Sequence, residues 1–245
     1  MIKGVIFLDV DGTLTESRHT SDLDPTVIPY LRALKSYGYK VVLISGNSLP
    51  VLRGLSIYMG IGGEVIAENG CVMYTDKIVQ VCGECKESED AKEYLIRNSG
   101  GIFKDTWQNM FRLCDRAVKW HGINGRKALE LAKEILLKGG FDLNRLHVSS
   151  SGYAIHIHPR GCGKDAGIKR YLKYYGISRD LTYCVGDSAT DLPMRSECNV
   201  LVAVGNADDE LKAVADIVTR RGSSKGFIEF AKYLIRSQKM KVSKA

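Results

Sequence analysis

The chain has 245 residues, which is enough for one large domain or for a core with a second, smaller domain. Hydrophobic residues make up 44% and charged residues 26%, a composition that excludes an intrinsically disordered or fibrous protein. The formal net charge is +7, but no RNA-binding signature and no interleaved aromatic and basic stripe accompanies it, so nucleic acid is not an expected partner.

The sequence does not favour a membrane protein or a secreted protein with a disulfide framework either. The apolar run at residues 5–8 is too short to span a bilayer, and the first residues lack the features of a signal peptide, so we expect a cytoplasmic protein without a membrane partner. The seven cysteines are odd in number and unlike a secreted disulfide framework, so most are expected to be small buried residues. Cys82 and Cys85 have the spacing of a zinc-ligand pair, but without a second pair a local disulfide or a plain turn is the favoured interpretation.

The first predicted element is a buried parallel strand over residues 5–8, where β-branched, aromatic and aliphatic residues follow one another. It ends at Asp9 and Asp11, and Gly12 follows as a turn residue. Ligands of open α/β sheets bind beyond the carboxyl ends of the strands, so both carboxylates are expected at the rim of a pocket. Because two carboxylates this close repel each other unless a cation or a shared proton intervenes, we expect a Mg²⁺ site.

Helices and strands alternate over the next segment, as in the βαβ units of a parallel sheet. A predicted helix begins at Asp24 and stops at Gly38, and a second buried strand from residue 40 leads into Ser45-Gly46-Asn47. The remaining elements predicted up to residue 82 are a helix at 49–59, a short strand at 64–67 and a hairpin of strands at 71–74 and 78–82.

The pattern changes at about residue 84. Alternating apolar and polar residues at 153–158 indicate a sheet with one solvated face, unlike the buried strands before it. The other elements predicted here are helices at 87–98 and 126–138 and strands at 110–120 and 145–149. We therefore predict a separate α+β module at 84–158, inserted into a core made of residues 1–83 and 159–245.

The core pattern resumes with a helix that begins at Lys164. A third buried strand at 181–187 ends on Gly186 and Asp187, and Asp191 follows four residues later. Another strand at 200–204 ends before Asn206, and helices are predicted at 210–214 and 226–237. The fold class that follows is α/β, with a doubly wound, Rossmann-like parallel sheet.

Polar residues therefore follow several predicted strands at the same edge of the sheet. Each group alone has a structural explanation, since a Gly-Asp-Ser segment often caps a helix and Ser-Gly-Asn often forms a turn. Together they suit phosphoryl transfer, because Asp9, Asp187 and Asp191 can hold Mg²⁺ and a carboxylate is a competent nucleophile on phosphorus. Asp9 would attack, and Asp11, on the same side of the strand, would act as general acid and base.

These residues resemble the four motifs of the haloacid dehalogenase (HAD) superfamily. The segments that carry the resemblance are Asp9-Val10-Asp11-Gly12-Thr13-Leu14, Ser45-Gly46-Asn47, Lys164 and Gly186-Asp187-Ser188-Ala189-Thr190-Asp191. They follow the family's order and cover the whole chain. The position of the insert resembles a C2-type cap of subclass B, in the sugar-phosphatase-like branch, and the chain is most similar to the archaeal phosphoglycolate phosphatases.

The resemblance implies a role for each matching residue. Asp9 is the nucleophile and a metal ligand, while Asp11 is the acid/base and binds metal through its backbone carbonyl. Ser45 donates a hydrogen bond to the phosphoryl group, Lys164 neutralises charge, and Asp187 and Asp191 bind metal. Substrate-binding roles are expected for Ser45, Gly46, Asn47, Lys164 and Asn206. One departure is Thr190, which stands where the family usually has Asn and can still donate one hydrogen bond to orient a ligand.

The resemblance thus predicts a Mg²⁺-dependent phosphomonoester hydrolase that forms an aspartyl phosphate, with 2-phosphoglycolate as the best candidate among small phosphorylated metabolites. The alternatives are a sugar-phosphate phosphatase, a phosphotransferase similar to phosphomannomutase, and, more remotely, a phosphate-sensing protein without catalysis. A monomer or homodimer is expected. Substrate choice should depend on the cap, where Lys104, Arg112, Arg116 and Arg160 are candidates for binding a substrate carboxylate. For His156 and His158, a solvated or cap-interface position is favoured over metal binding.

Overall fold

The computed structural model describes residues 2–242 and is built around a sheet of eight strands. In spatial order these are β12 (Ile217–Val218), β11 (Val200–Ala203), β10 (Thr182–Gly186), β1 (Gly4–Leu8), β2 (Tyr39–Ile44), β3 (Val65–Ala67), β4 (Val72–Tyr74) and β5 (Ile78–Gln80). Strands β12 through β3 are parallel, and β4 and β5 form the predicted antiparallel hairpin at the edge. Since β1 lies between β10 and β2, its carboxyl end is central in the sheet.

Helices cover both faces of this sheet. They are α1 (Ile28–Ser36), α2 (Leu49–Tyr58), α5 (Lys164–Tyr175), α6 (Asp209–Val214) and α7 (Ser223–Val242), with short 3-10 helices at Pro25–Val27, Glu68–Gly70, Arg179–Leu181 and Ala189–Ser196. Alternate residues of β1 point to opposite faces, so Ile6 packs with Leu31 and Phe227 while Phe7 packs with Ile168. The predicted doubly wound α/β class is confirmed. Within residues 2–242, the helices all fall short of the length and apolar character that a membrane span requires.

The insert between β5 and α5 has its own sheet and core. Two helices, α3 (Lys86–Asn98) and α4 (Gly125–Lys138), accompany four antiparallel strands in the order β6 (Phe103–Asp105), β7 (Arg116–Trp120), β9 (Ile155–Pro159) and β8 (Leu146–Ser150). Their apolar side chains, such as Leu95, Phe103, Leu136 and Ile155, form one cluster. We call this unit the cap. Its elements run from Lys86 to Pro159. The domain boundaries at 84–158 stay a prediction. Residues 1 and 243–245 lie outside the described part of the chain, so their assignment to the core also stays a prediction.

Two strands were not predicted, and one predicted strand is too long. The two- and three-residue strands β12 and β6 are too short to show a period. The strand predicted at 110–120 begins only at Arg116, because Trp107–Phe111 forms a 3-10 helix. The cause is Asn109, whose amide donates to the carbonyl of Ala117 at 2.7 Å and accepts from its N–H at 3.0 Å. Asn109 thus folds the preceding segment back onto β7.

The pairing of the cysteines also differs from the sequence-based prediction. Cys82 is bonded to Cys162 and Cys85 to Cys114, so the expectation of a local disulfide or plain turn at Cys82 and Cys85 is wrong. All seven cysteines are buried as expected, but four of them are bonded rather than serving only as small apolar residues. The partners are 80 and 29 residues apart, and the folding of the cap brings them together.

Candidate active site

The site begins where β1 ends. Asp9 follows the last strand residue, its N–H donates to the carbonyl of Val185 at 3.0 Å, and its side chain is buried. The turn that follows requires Gly12, which has a φ of 82°, and a Cβ there would overlap the carboxylate of Asp187. The turn between the first two acidic residues and the end of β10 are therefore packed against each other without room for a side chain.

Lys164 connects two of the acidic loops. It is the first residue of α5, and its buried Nζ lies 2.7 Å from Asp9 Oδ1 and 2.6 Å from Asp191 Oδ1. Burial opposes the charge on Lys164, but Asp191 and Asp9 outweigh that effect and raise its pKa. The ammonium group is therefore held charged between two carboxylates.

Three carboxylates gather around this ammonium. Oxygen atoms of Asp9, Asp187 and Asp191 lie within 4.8 Å of one another. Burial, together with the neighbouring carboxylates, raises the pKa of Asp9 to about 7 and that of Asp187 to about 8, although Lys164 opposes the shift. Burial and mutual repulsion thus outweigh the positive charge that Lys164 supplies to these acids, so their negative charge is not fully compensated. The hard oxygen donors and the missing charge both fit a divalent cation such as Mg²⁺.

The loop after β10 is shaped by its own side chains. Asp191 Oδ2 accepts hydrogen bonds from the N–H of Asp187 at 3.0 Å and of Ser188 at 3.1 Å, which leaves Oδ1 directed at Lys164. This reciprocal cap begins the 3-10 helix Ala189–Ser196. The hydroxyl of Thr190 lies 2.7 Å from Ser188 Oγ, so the residue that departs from the family pattern supports the loop through Ser188.

The loop after β2 places Ser45 and Asn47 beside Asp11. The Asn47 amide donates to Asp11 Oδ2 at 2.9 Å, and the hydroxyl of Ser45 lies 3.5 Å from the same oxygen. The hydroxyl also accepts the N–H of Asn47 at 3.1 Å. Burial raises the pKa of Asp11, and the hydrogen bond from Asn47 partly offsets the increase. A carboxyl group with a raised pKa holds a proton more readily, which suits a general acid.

Arg18 is a residue that the sequence did not single out. Its Nε lies 2.7 Å from Asp187 Oδ2, and its Nη1 lies 2.7 Å from Asp208 Oδ1. Its carbonyl accepts the hydroxyl of Tyr153, a cap residue, at 2.6 Å. Arg18 thus contacts the cap and supplies positive charge to the group of Asp9, Asp187 and Asp191, which we call the acidic cluster. It lies in a loop without periodicity or motif, so the sequence held no signal for it.

Two cap side chains, Gln108 and Arg112, form hydrogen bonds to the loop after β2. Gln108 donates to Asn47 Oδ1 at 3.0 Å and accepts the N–H of Ser48 at 2.8 Å. Arg112, buried at the same interface, donates to the carbonyl of Gly46 at 2.7 Å. The sequence missed Gln108 because an isolated glutamine carries no pattern. Of the four basic cap residues proposed from the sequence, Arg112 is thus placed beside the site.

The other three basic candidates have different surroundings. Arg116 pairs with Glu89 at 2.6 Å, and Arg160 donates to the carbonyl of Leu143 at 2.7 Å. The side chain of Lys104 is exposed. These three residues therefore stabilise the cap or face solvent.

The two histidines of β9 are both buried, so the solvated position considered for them is wrong. For His156, the predicted position at the interface between the cap and the core is confirmed. Its Nδ1 lies 2.7 Å from Asp115 Oδ2, which also accepts from Asn69 of the core at 3.3 Å. The ring of His158 stays within the cap, with Nδ1 3.0 Å from the carbonyl of Pro159.

Asn206 is placed beside α7. Its side-chain oxygen accepts the N–H of Ser223 at 2.5 Å, and its carbonyl accepts from Arg18 at 3.2 Å. These contacts hold the start of α7, and a substrate-binding role for Asn206 stays a prediction. The structure thus gathers Asp9, Asp11, Ser45, Asn47, Lys164, Asp187 and Asp191, and their individual roles stay predictions.

Comparisons of this chain with a protein-family model and with known proteins point to the same family. Residues 6–107 and 124–230 match the haloacid dehalogenase-like hydrolase family. Phosphoglycolate phosphatase 1 of Saccharolobus solfataricus is 38% identical and covers 97% of this chain and 98% of its own. The phosphoglycolate phosphatase of Sulfolobus acidocaldarius is 37% identical, over 96% and 97% of the two chains.

Solved structures show the same architecture. A Thermoplasma acidophilum crystal structure superposes with a TM-score of 0.78 at 25% identity, covering 95% of this chain and 98% of that one. A haloacid dehalogenase-like hydrolase from Bacteroides thetaiotaomicron, 19% identical over 94% and 99% of the chains, has the same fold with a TM-score of 0.73. The resemblance seen in the four motifs is confirmed, and the chain belongs to the haloacid dehalogenase-like hydrolases.

Proposed function

We propose that this chain is a Mg²⁺-dependent phosphomonoester phosphatase whose substrate is 2-phosphoglycolate. The observation that carries the proposal is the group of three buried carboxylates with Lys164 at the carboxyl ends of β1 and β10. The relatives named phosphoglycolate phosphatase support the substrate, since they match nearly the full length of this chain. The 38% identity with the first of them is spread over 240 residues, so it includes the cap as well as the core.

The geometry supports a two-step transfer. Asp9 attacks phosphorus and forms an aspartyl phosphate, while Asp11 gives its proton to the leaving oxygen. Asp11 then takes a proton from water, which attacks phosphorus and releases phosphate and free Asp9. The raised pKa of Asp11 fits the first half of this cycle, because the group must hold a proton when substrate binds.

Charge on the transferred phosphoryl group needs fixed partners throughout. Lys164 reaches the attacking carboxylate directly, and the hydroxyl of Ser45 faces the same space as Asp11. Mg²⁺ would be held by Asp9, Asp187, Asp191 and the backbone carbonyl of Asp11, and when bound it supplies positive charge to the phosphoryl oxygens. Gln108 and Arg112 hold the cap against the loop that carries Ser45, which limits the site to small substrates.

A substrate panel tests the proposal. We expect phosphate release from 2-phosphoglycolate in the presence of Mg²⁺, faster than from phosphoserine or hexose phosphates, and loss of release with EDTA. Product analysis by NMR should show free glycolate. The Asp9→Asn variant should be folded and inactive, which ties the activity to this site rather than to a contaminant.

Two results would contradict the proposal in different ways. A hexose phosphate that is converted to its positional isomer without phosphate release identifies a phosphotransferase. A purified chain that binds phosphate esters and turns over none of them identifies a sensor. If another phosphomonoester is hydrolysed faster than 2-phosphoglycolate, the reaction type stands and the substrate assignment is wrong.

A further inference from the structure

Five of the seven cysteines gather where the core meets the cap. Cys71 precedes β4, Cys82 and Cys85 lie between β5 and α3, Cys114 lies just before β7, and Cys162 precedes α5. All five are buried. The Sγ atoms of Cys71, Cys82 and Cys114 lie within 4.8 Å of one another, and the other two sulfurs are bonded to members of this group. Sulfurs from four separate segments thus form one cluster.

We propose that this cluster, once reduced, is a zinc site whose ligands are Cys71, Cys82, Cys85 and Cys114. Structural zinc is held by four thiolates at about 2.3 Å, which places tetrahedral sulfurs roughly 3.8 Å apart. The sulfurs of Cys71, Cys82 and Cys114 lie within 4.8 Å of one another, so small side-chain movements would bring them to that separation. The site shares no residue with the acidic cluster and is independent of the proposed reaction.

Cys85 is the fourth ligand for two reasons. Two residues separate it from Cys82, which is the spacing that lets neighbouring cysteines chelate one zinc ion. Its sulfur also lies within bonding distance of Cys114 and accepts a hydrogen bond from the amide of Gln80 at 3.3 Å. Such N–H donors orient ligand sulfurs and moderate their charge. Cys162 lacks this spacing, and its carbonyl accepts the thiol of Cys71 at 3.4 Å.

The two chemical states of the cluster are related by a balanced reaction. In the structure, Cys82 is bonded to Cys162 and Cys85 to Cys114. A dithiol reductant supplies two electrons and two protons to each disulfide, which gives four thiols beside the existing thiol of Cys71. Zn²⁺ then replaces the protons of the four ligand thiols, and Cys162 keeps its own.

Zinc at this position would fix the cap to the core. Cys71 belongs to the core, while Cys114 lies in the cap loop that also contains Arg112 and Asp115. That loop contacts the site through the hydrogen bond from Arg112 to Gly46. A metal bond between these segments would hold the loop at its place without taking part in phosphoryl transfer.

Metal analysis of the full chain tests the assignment. The protein is reduced with a dithiol under nitrogen, loaded with Zn²⁺ and freed of excess metal by gel filtration, and zinc is then counted by mass spectrometry. We expect one tightly held zinc ion per chain. With Co²⁺ in place of zinc, we expect thiolate-to-cobalt charge-transfer absorption and the intense visible bands of a tetrahedral site. Cobalt at the carboxylate site gives no sulfur absorption, so the two sites are distinguished.

Single variants identify the ligands. Cys71→Ser and Cys114→Ser should lose the charge-transfer absorption, whereas Cys162→Ser should keep it. Cys184→Ser is the matched control, since Cys184 is a buried free cysteine in the other face of the core. Absence of zinc from the reduced parent chain, which needs no variant, would overturn the proposal. Retention of the absorption in Cys71→Ser with its loss in Cys162→Ser would overturn the ligand set.

Discussion

Lys164 Nζ lies 2.7 Å from Asp9 Oδ1, although 155 positions separate the two residues in the chain. The first residue of a helix thereby reaches the residue that follows the central strand. The same ammonium lies 2.6 Å from Asp191 Oδ1, so one positive charge serves two buried acids. The Asp9 carboxylate needs such a partner in a buried site, because burial raises its pKa and the positive charge of Lys164 opposes that increase.

Replacing Lys164 should therefore disable the site. We expect Lys164→Met to lower kcat/KM for 2-phosphoglycolate by about a hundredfold or more, since it removes a fixed donor from the phosphoryl group and leaves Asp9 and Asp191 to repel each other. Steady-state phosphate release checks this. Lys173→Met, on the exposed face of the same helix, is the control and should keep the parent rate. Equal rates for both variants would remove Lys164 from the mechanism.

The raised pKa values in the acidic cluster lead us to expect that the stabilisation of the fold by Mg²⁺ depends on pH. The pKa values of about 7 for Asp9 and about 8 for Asp187 exceed the 3.8 of an unperturbed Asp. Between these pH values, the metal-free folded state therefore binds more protons than the unfolded state. Its free energy of unfolding therefore falls as the pH rises from about 4 to about 8. Mg²⁺ bound at this cluster would replace those protons, so its stabilising effect should grow between about pH 4 and about pH 8.

Thermal unfolding with Mg²⁺ and with EDTA measures this difference. We expect a larger Mg²⁺-induced rise in Tm at about pH 8 than at about pH 5, because protons compete with the metal at the lower pH. In Asp187→Asn, most of the rise should disappear. A rise that is equal at both pH values, or larger in acid, would show that the metal does not bind at these carboxylates.

Asn47 should set the proton affinity of Asp11. Its amide donates to Asp11 Oδ2 at 2.9 Å and thereby opposes the increase in pKa that burial causes. Asn47→Ala should raise the pKa of Asp11 further. Because the proposed first step requires protonated Asp11, the basic limb of the kcat/KM profile should move to higher pH.

Gln108→Ala is the matched control for this shift. It removes the contact to Asn47 Oδ1 at 3.0 Å and leaves the amide group next to Asp11 in place. The control should change KM through the loosened cap and leave the basic limb where it is. A basic limb that moves equally in both variants would mean that it does not report Asp11.

Residues contiguous with a strand end could be predicted from the sequence, and residues brought in from elsewhere could not. Asp9 and Asp187 follow buried strands directly and Asp11 comes two residues after Asp9, so the edge of the sheet at which they meet follows from the parallel topology. Arg18 lies in an irregular loop and reaches Asp187 only because the chain folds back over the site. Periodicity describes one element at a time and contains no information on such contacts.

The cap shows the same division. Its helices are long enough to display their period, and the predicted 126–138 differs by one residue from the observed Gly125–Lys138. The contact between Gln108 and Asn47 joins residues 61 positions apart, and the bond between Cys82 and Cys162 spans 80. These contacts depend on the tertiary arrangement of the cap on the core, which no local pattern encodes.

Glu68 holds the cap loop to the core with a single carboxylate, and its removal should loosen that loop. The buried side chain accepts the N–H groups of Leu113, Cys114 and Asp115 at 2.8–3.1 Å. Glu68→Ala leaves these donors unpaired and should lower the free energy of unfolding by about 3 kcal/mol. Urea unfolding measures this change, and hydrogen exchange should accelerate at residues 113–115.

Two further variants show whether the carboxylate itself is responsible. Glu68→Gln keeps one acceptor oxygen and should lose less stability than Glu68→Ala, because part of the hydrogen bonding survives. Glu134→Ala changes an exposed glutamate on α4 and should leave both unfolding and exchange unchanged. If exchange at residues 113–115 stays slow in Glu68→Ala, the loop is held by the bond between Cys85 and Cys114 instead. Repeating the measurement on the reduced parent chain would then separate the two constraints, since a dithiol breaks the bond between Cys85 and Cys114 and leaves the hydrogen bonds to Glu68 intact.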